Sequence, residues 1–160
     1  MPPATPAAEL EVRVERSDDA AGRRLLAEFR ADIAALYGAL DDSRWPSADP
    51  DEMAPPGGIF LVLYDGADAV ACGGVKQLEP GLGEVKRMHV AQGARSRGYA
   101  RRLLAELERA ARELGHERVR LDTGPEQPHA LALYESAGYL PVPDYNANLY
   151  AAYWFEKRLA

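Results

Sequence analysis

Gly83 to Leu104 reads GEVKRMHVAQGARSRGYARRLL, and the change of hydrophobic period inside it decides the fold. Gly83 to Val90 reads as a strand. Beyond it Ala100, Leu103, Leu104, Leu107, Ala111 and Leu114 fall on one helical face, which Gly115 ends. The turn between them carries Arg95, Arg97 and Gly98. The first four amides of a helix lack intrahelical partners, and the helix dipole adds about half a positive charge there, worth about 0.3–1 kcal/mol to an anion. Arg95, Arg97, Arg101 and Arg102 read either as solvated helix-face charges or, since a basic cluster at a helix start opposes that dipole, as partners of a bound anion. Gly98 and Ala100 are small enough to let a ligand reach the backbone. The implied ligand is a phosphate or pyrophosphate. The turn has neither the Gly-Lys-Ser/Thr ending of a Walker loop nor the three-glycine dinucleotide fingerprint, which disfavours ATP and NAD.

Working upstream, Pro80-Gly81 is a turn, and the apolar runs Ala69 to Lys76 and Ile59 to Tyr64 flank Asp65-Gly66, a strong hairpin signal. Three antiparallel strands are expected here. Asp41 to Gly58, with Pro46, Pro50, Pro55 and Pro56, is a loop or short broken helix. Leu25, Leu26, Phe29, Ile33, Leu36 and Tyr37 repeat at helical spacing up to Gly38, with Asp18 or Asp19 as the expected cap; Leu10, Val12 and Val14 alternate as a strand. Downstream, Arg118 to Thr123 is a strand, Pro128 to Ala137 a helix closed by Gly138, and Tyr150 to Leu159 an aromatic, extended tail. The order is that of a mixed α/β domain. Residues 1–8, proline and alanine without periodicity, are an expected disordered terminus, and residues 9–160 an expected single domain.

The whole chain has 160 residues, 47% of them hydrophobic, enough for an ordinary core without a structural metal or disulfides. The lone Cys72, among small apolar neighbours, reads as core filler and fits a cytoplasmic protein. No apolar run reaches the roughly 18 residues of a membrane span, and Met1 to Leu10 lack the pattern of a signal peptide. Neither a membrane nor, at a net charge of −6, a nucleic acid is the expected partner. Yet Val85 to Arg102 holds six basic residues and no carboxylate, so the remaining 142 residues carry −12. A compact cationic site sits on an acidic protein.

Arg95-Ser96-Arg97-Gly98-Tyr99-Ala100, after the strand ending at Val90, resembles Gln/Arg-x-x-Gly-x-Gly/Ala, the acetyl-CoA signature of the GNAT acetyltransferase superfamily. Gln127-Pro128-His129-Ala130-Leu131-Ala132-Leu133-Tyr134, then Gly138-Tyr139, resembles its second motif, Asn-x-x-Ala-x-x-Leu-Tyr followed by Gly-Phe/Tyr. Both motifs stand in the right order and context. The resemblance runs from Ile59 to Tyr139, more faintly from Leu10. It implies an acyl-CoA N-acyltransferase fold, with a single mixed, mostly antiparallel central sheet flanked by helices.

By the same resemblance, the backbone of Met88, His89 and Val90 bonds the pantetheine arm of acetyl-CoA and polarises the acetyl carbonyl. The amides of Arg95, Ser96, Arg97, Gly98, Tyr99 and Ala100, with Arg101 behind them, hold the pyrophosphate. Gln127 stands where the family often has Asn against the cofactor arm. Tyr134 is the acid for the departing thiolate. A phenol with a pKa near 10 can serve a thiol near 8.5 only if well placed, and without the motif Tyr134 would read as a core aromatic. Glu84, which otherwise reads as a strand-end carboxylate paired with Lys86 or an arginine, is the first candidate for the base, Asp122 on the next strand the second, and His89, a residue type whose ordinary pKa is near neutrality, another.

Acceptor contacts are expected from Arg44 and Trp45 in the broken segment, from Asp122, and from Tyr145 and Asn146 in the tail. No metal is implied. The implied reaction is acetyl transfer to a primary amine of a small molecule by direct attack in a ternary complex, by a monomer or homodimer. A protein N-terminus or lysine as acceptor, and a CoA-binding sensor without turnover, are the alternatives.

Overall fold

Strands β1 (Leu10–Val14), β2 (Ile59–Asp65), β3 (Asp68–Glu79) and β4 (Leu82–Val90) form an antiparallel meander, turning at Gly66 and Gly81, both at positive φ. The computed structural model describes residues 9–159; the expected terminus, residues 1–8, lies outside the described residues. Helix α1 (Ala20–Tyr37) separates β1 from β2, and helix α2 (Tyr99–Glu113) follows β4. Then come β5 (Arg118–Thr123), α3 (Pro128–Ser136), the two-residue β6 (Leu140–Pro141) and β7 (Tyr153–Arg158). The seven strands make one sheet in the order β1-β2-β3-β4-β5-β7-β6, parallel only between β4 and β5.

Alternation along β2 sends side chains to two cores. Leu61 and Leu63 pack with Leu103, Leu104 and Leu107 of α2, whereas Phe60, Val62 and Tyr64 pack with Leu25 of α1, Met53 and Cys72. The helices therefore cover opposite faces. Cys72 is fully buried, as expected of core filler, and its thiol pKa is pushed up to about 12 by burial, with the Glu28 charge adding to it.

One local expectation changes and another holds. Asp19 occupies the cap position of α1, but its carboxylate accepts from the Arg16 amide (3.1 Å) and not from the helix, because the turn from Arg16 to Asp19 folds it back. The proline-rich segment keeps one short 3-10 turn, Asp42–Arg44, with the Asp41 side chain accepting from Ser43 N.

The feature that positions the site is a bulge in β4. Cys72 pairs with His89 but Gly74 pairs with Lys86, so Arg87 and Met88 together face the single residue Gly73. Arg87 takes φ +59°, a left-handed conformation uncommon for a non-glycine residue. Bulges bend the strand that carries them. Pairing of β4 with β5 stops at Glu84 opposite Arg120, and beyond it the two parallel strands part.

Candidate active site

Where β4 and β5 part, a cleft of about 710 Å³ opens, lined by Met88, His89 and Val90 of β4, the start of α2, the start of α3, and α1. Gly98 enters α2 at φ +80°; an added Cβ there would meet nothing within 4 Å, so conformation alone calls for glycine. The first helical bond runs from Arg102 N to Gly98 O (3.1 Å), leaving the amides of Tyr99, Ala100 and Arg101 without helical partners beside the cleft. Those amides, with Ser96 and Arg101, suit the pyrophosphate of a CoA ligand.

The arginine cradle is smaller than the sequence suggests. Arg95 lines the cleft, but its guanidinium is held by Asp32 of α1 (2.6 Å) and by Val90 O (3.3 Å), tying the turn to α1. Arg97 does not line the cleft. Tyr99 has its ring buried and its hydroxyl donating to Asp65, so it offers the cleft its backbone. Arg101, which bonds Ser136 Oγ (2.8 Å), is the guanidinium at the cleft least committed elsewhere. Gln127 lines the cleft while its carbonyl accepts from Gly124 N (3.0 Å) and Tyr37 OH (3.4 Å). A Cβ on Gly124 would collide with that phenol, so glycine lets α1 approach the loop before α3.

A second cavity of about 80 Å³ adjoins the first, and Phe29, Ile33, Met88, Gln127 and Tyr134 line both. Its aromatic wall is Trp45, stacked on Phe29 (centroids 6.0 Å apart) and meeting Tyr150 edge-on (6.1 Å). Tyr150 accepts from Asp41 N (2.8 Å), joining the tail to the proline-rich segment across the pocket. Lys86, Arg87, Asp122 and Asn148 also line it.

Tyr134 sits at the junction. Its ring packs near Tyr139 (5.8 Å) and Phe155 (6.4 Å), and its hydroxyl makes no hydrogen bond among the described residues. Burial, with the charge of Asp122 adding, raises its pKa well above the usual phenol range. It therefore stays protonated through neutral pH, a donor facing both cavities.

Glu84 is elsewhere. It is 1% exposed, lines neither cavity, and accepts from Tyr145 OH (2.5 Å) and Asn146 Nδ2 (3.2 Å), with Lys86 Nζ 3.5 Å from its other oxygen. Burial first, then the charge of Glu84, hold the Tyr145 phenol protonated. Asn146 Nδ2 also reaches Asp122 (2.6 Å), which accepts from Asn148 Nδ2 as well (3.2 Å). The pocket-facing carboxylate is thus Asp122, backed by a buried network ending at Glu84. His89 turns its ring to Glu28 (3.1 Å) and does not line the smaller cavity, and burial lowers its pKa despite that carboxylate.

Residues 23–139 match the family model described as the acetyltransferase (GNAT) family. The chain belongs to the GNAT acetyltransferase family. It is 39% identical over 92 residues to the IAA acetyltransferase of Azospirillum brasilense, covering 57% of this chain and 60% of that relative, so the match spans less than two thirds of the relative's length. It is 31% identical over 116 residues to the uncharacterized N-acetyltransferase YjgM of Escherichia coli K12, covering 67% and 70%. The fold is similar to a GNAT acetyltransferase from Elizabethkingia anophelis with acetyl-CoA bound, at a TM-score of 0.67 and 13% identity, over 94% of this chain and 98% of that one.

Within this GNAT frame the structure brings Met88, His89, Val90, Arg95, Ser96, Gly98, Tyr99, Ala100, Arg101, Gln127 and Tyr134 to the cleft, and Trp45 and Asp122 to the smaller cavity. Five expected site residues stay outside both: Arg44 is exposed and pairs with Asp41, Arg97 lines neither cavity, and Glu84 is buried behind them with Tyr145 and Asn146 bonded to it. Phe29, Ile33 and Tyr37 were readable only as the apolar stripe of α1. Arg87 was readable only as one of six basic residues, because a bulge leaves no mark in the strand pattern.

Proposed function

We propose that the protein transfers an acetyl group from acetyl-CoA to a primary amine of a small-molecule acceptor, by direct attack in a ternary complex. The observation that carries this reading is the junction of two cavities at Tyr134: a long cleft leading from the α2 amides, and a walled pocket at its inner end. Acetyl-CoA would supply the thioester that the amine attacks. The unpaired edge of β4 at Met88 to Val90 offers backbone groups to the pantetheine arm, and the α2 amides with Arg101 hold the pyrophosphate. Asp122 receives the ammonium and accepts its proton, Glu84 holding the intervening carboxamide of Asn146 in place. Tyr134 gives its proton to the departing sulfur. Positioned acid or base groups contribute about 10²- to 10⁴-fold each.

The aromatic wall of Trp45, Phe29 and Tyr150 favours a small acceptor over a protein terminus or lysine, which calls for an open groove. The free hydroxyl of Tyr134 favours turnover over sensing. The test is calorimetric titration with acetyl-CoA, paired with thiol release over a panel of small amines and peptides. Binding plus release with small amines is the expected result. Release with peptides only would overturn the acceptor reading, binding without release on any amine the enzymatic one, and no binding the whole.

A further inference from the structure

We infer that the acceptor is an amino acid, whose carboxylate docks on Arg87 while its amine faces Asp122. This rests on the acetyl-transfer reading above and narrows its acceptor. Arg87 stands at the β4 bulge, with its backbone held at φ +59°, and lines the acceptor pocket. Its guanidinium donates to Pro46 O (3.2 Å) and lies 4.0 Å above the Trp45 ring, yet forms no ion pair among the described residues. Burial works against its charge, and Asp122 and Glu84 act on it only from a distance. A guanidinium has five N–H donors in a planar fork that matches a carboxylate. Most of these donors have no protein partner among the described residues.

The second cation of the pocket, Lys86, already has Glu84 at 3.5 Å. A plain amine would bring a third positive charge beside Lys86 and Arg87, with Asp122 the lone carboxylate lining the pocket. An amino acid has the opposite layout: its anion goes to β4 and its cation to β5. The cavity of about 80 Å³ has room for a carboxylate, an α-carbon, an amine and a short side chain, with the neighbouring cleft as the route for sulfur. No covalent step is added. The chemistry stays amide formation with release of thiol.

The experiment compares matched pairs: alanine with ethylamine and serine with ethanolamine as acceptors in thiol release, and N-acetylalanine with N-ethylacetamide as ligands of the CoA-loaded protein by calorimetry. One charge-assisted contact predicts a preference of about 10- to 100-fold for the carboxylate-bearing member. Arg87→Gln should bring the ratio close to one, and Arg87→Lys should restore part of it. A merely structural Arg87 would lower both members equally. The product pair on the unaltered protein decides the matter even where the variants fold poorly. If no amine turns over but N-acetylalanine binds in preference to N-ethylacetamide, the acetyl-transfer reading fails and the carboxylate site stands. If the plain amines turn over as well or better, or if the two products bind alike, the carboxylate site is overturned.

Discussion

Replacing Tyr134 with Phe removes one hydroxyl and little else. The ring keeps its neighbours Tyr139 and Phe155, and no hydrogen-bond partner is stranded among the described residues. Stability should therefore change by less than about 1 kcal/mol, in contrast to the roughly 1–3 kcal/mol expected where a buried partner loses its bond. Tyr139→Phe is such a case, since its hydroxyl donates to buried Glu108 (2.9 Å). For catalysis, a positioned general acid contributes about 10²- to 10⁴-fold. Burial has raised the Tyr134 pKa, which weakens the phenol as an acid, so the lower end applies and kcat should fall about 100-fold. Because the raised pKa keeps the phenol protonated, Tyr134 should add no alkaline fall to the rate between pH 6 and 9. Steady-state thiol release gives kcat, and calorimetry with CoA gives the affinity, expected within about threefold of the parent since the ring still lines the cleft. A kcat within twofold of the parent would refute the acid role. A loss appearing entirely in CoA affinity would show that the hydroxyl binds and does not donate.

Arg101→Glu reverses a charge beside the pyrophosphate, and CoA should bind about 10- to 30-fold more weakly at low salt, the difference shrinking as salt is added; equal Kd values would remove Arg101 from the phosphate site. Burial lowers the His89 pKa, so the unfolded chain takes up this proton near pH 6.5 before the folded one does. The contribution of His89 to unfolding free energy should accordingly be full above pH 6.5 and decline as pH falls toward the folded pKa. Denaturant titrations at pH 7.5 and 5.5 should show a pH difference that His89→Gln reduces. Cys72, with its thiol pKa pushed up to about 12, should stay unreactive toward Ellman's reagent at pH 8 until the protein is unfolded.

What the sequence disclosed and what it hid differ by physical scale. Periodicity is local, and it located β5 at Arg118–Thr123 and the switch from β4 to α2 within a residue or so. The turn into α2 was legible because Gly98 marks its left-handed entry, at φ +80°, just ahead of the apolar helical stripe. Side-chain destinations were not legible, because they depend on contacts across the chain. Arg95 reads as a phosphate ligand until α1 supplies Asp32, and Glu84 reads as a base until the tail delivers Tyr145 and Asn146 to it. Arg87 acquires its place from a register shift against β3 that no spacing within β4 reveals.

The claim on which the rest depends is that the parting of β4 and β5 holds acetyl-CoA with its sulfur at Tyr134. A crystal structure of the protein with CoA measures this directly. The account predicts the pyrophosphate on the amides of Tyr99 to Arg101 and the thiol within hydrogen-bond reach of the Tyr134 hydroxyl, about 3.5 Å or less. A pyrophosphate away from the start of α2, or a sulfur beyond the reach of Tyr134, would contradict it.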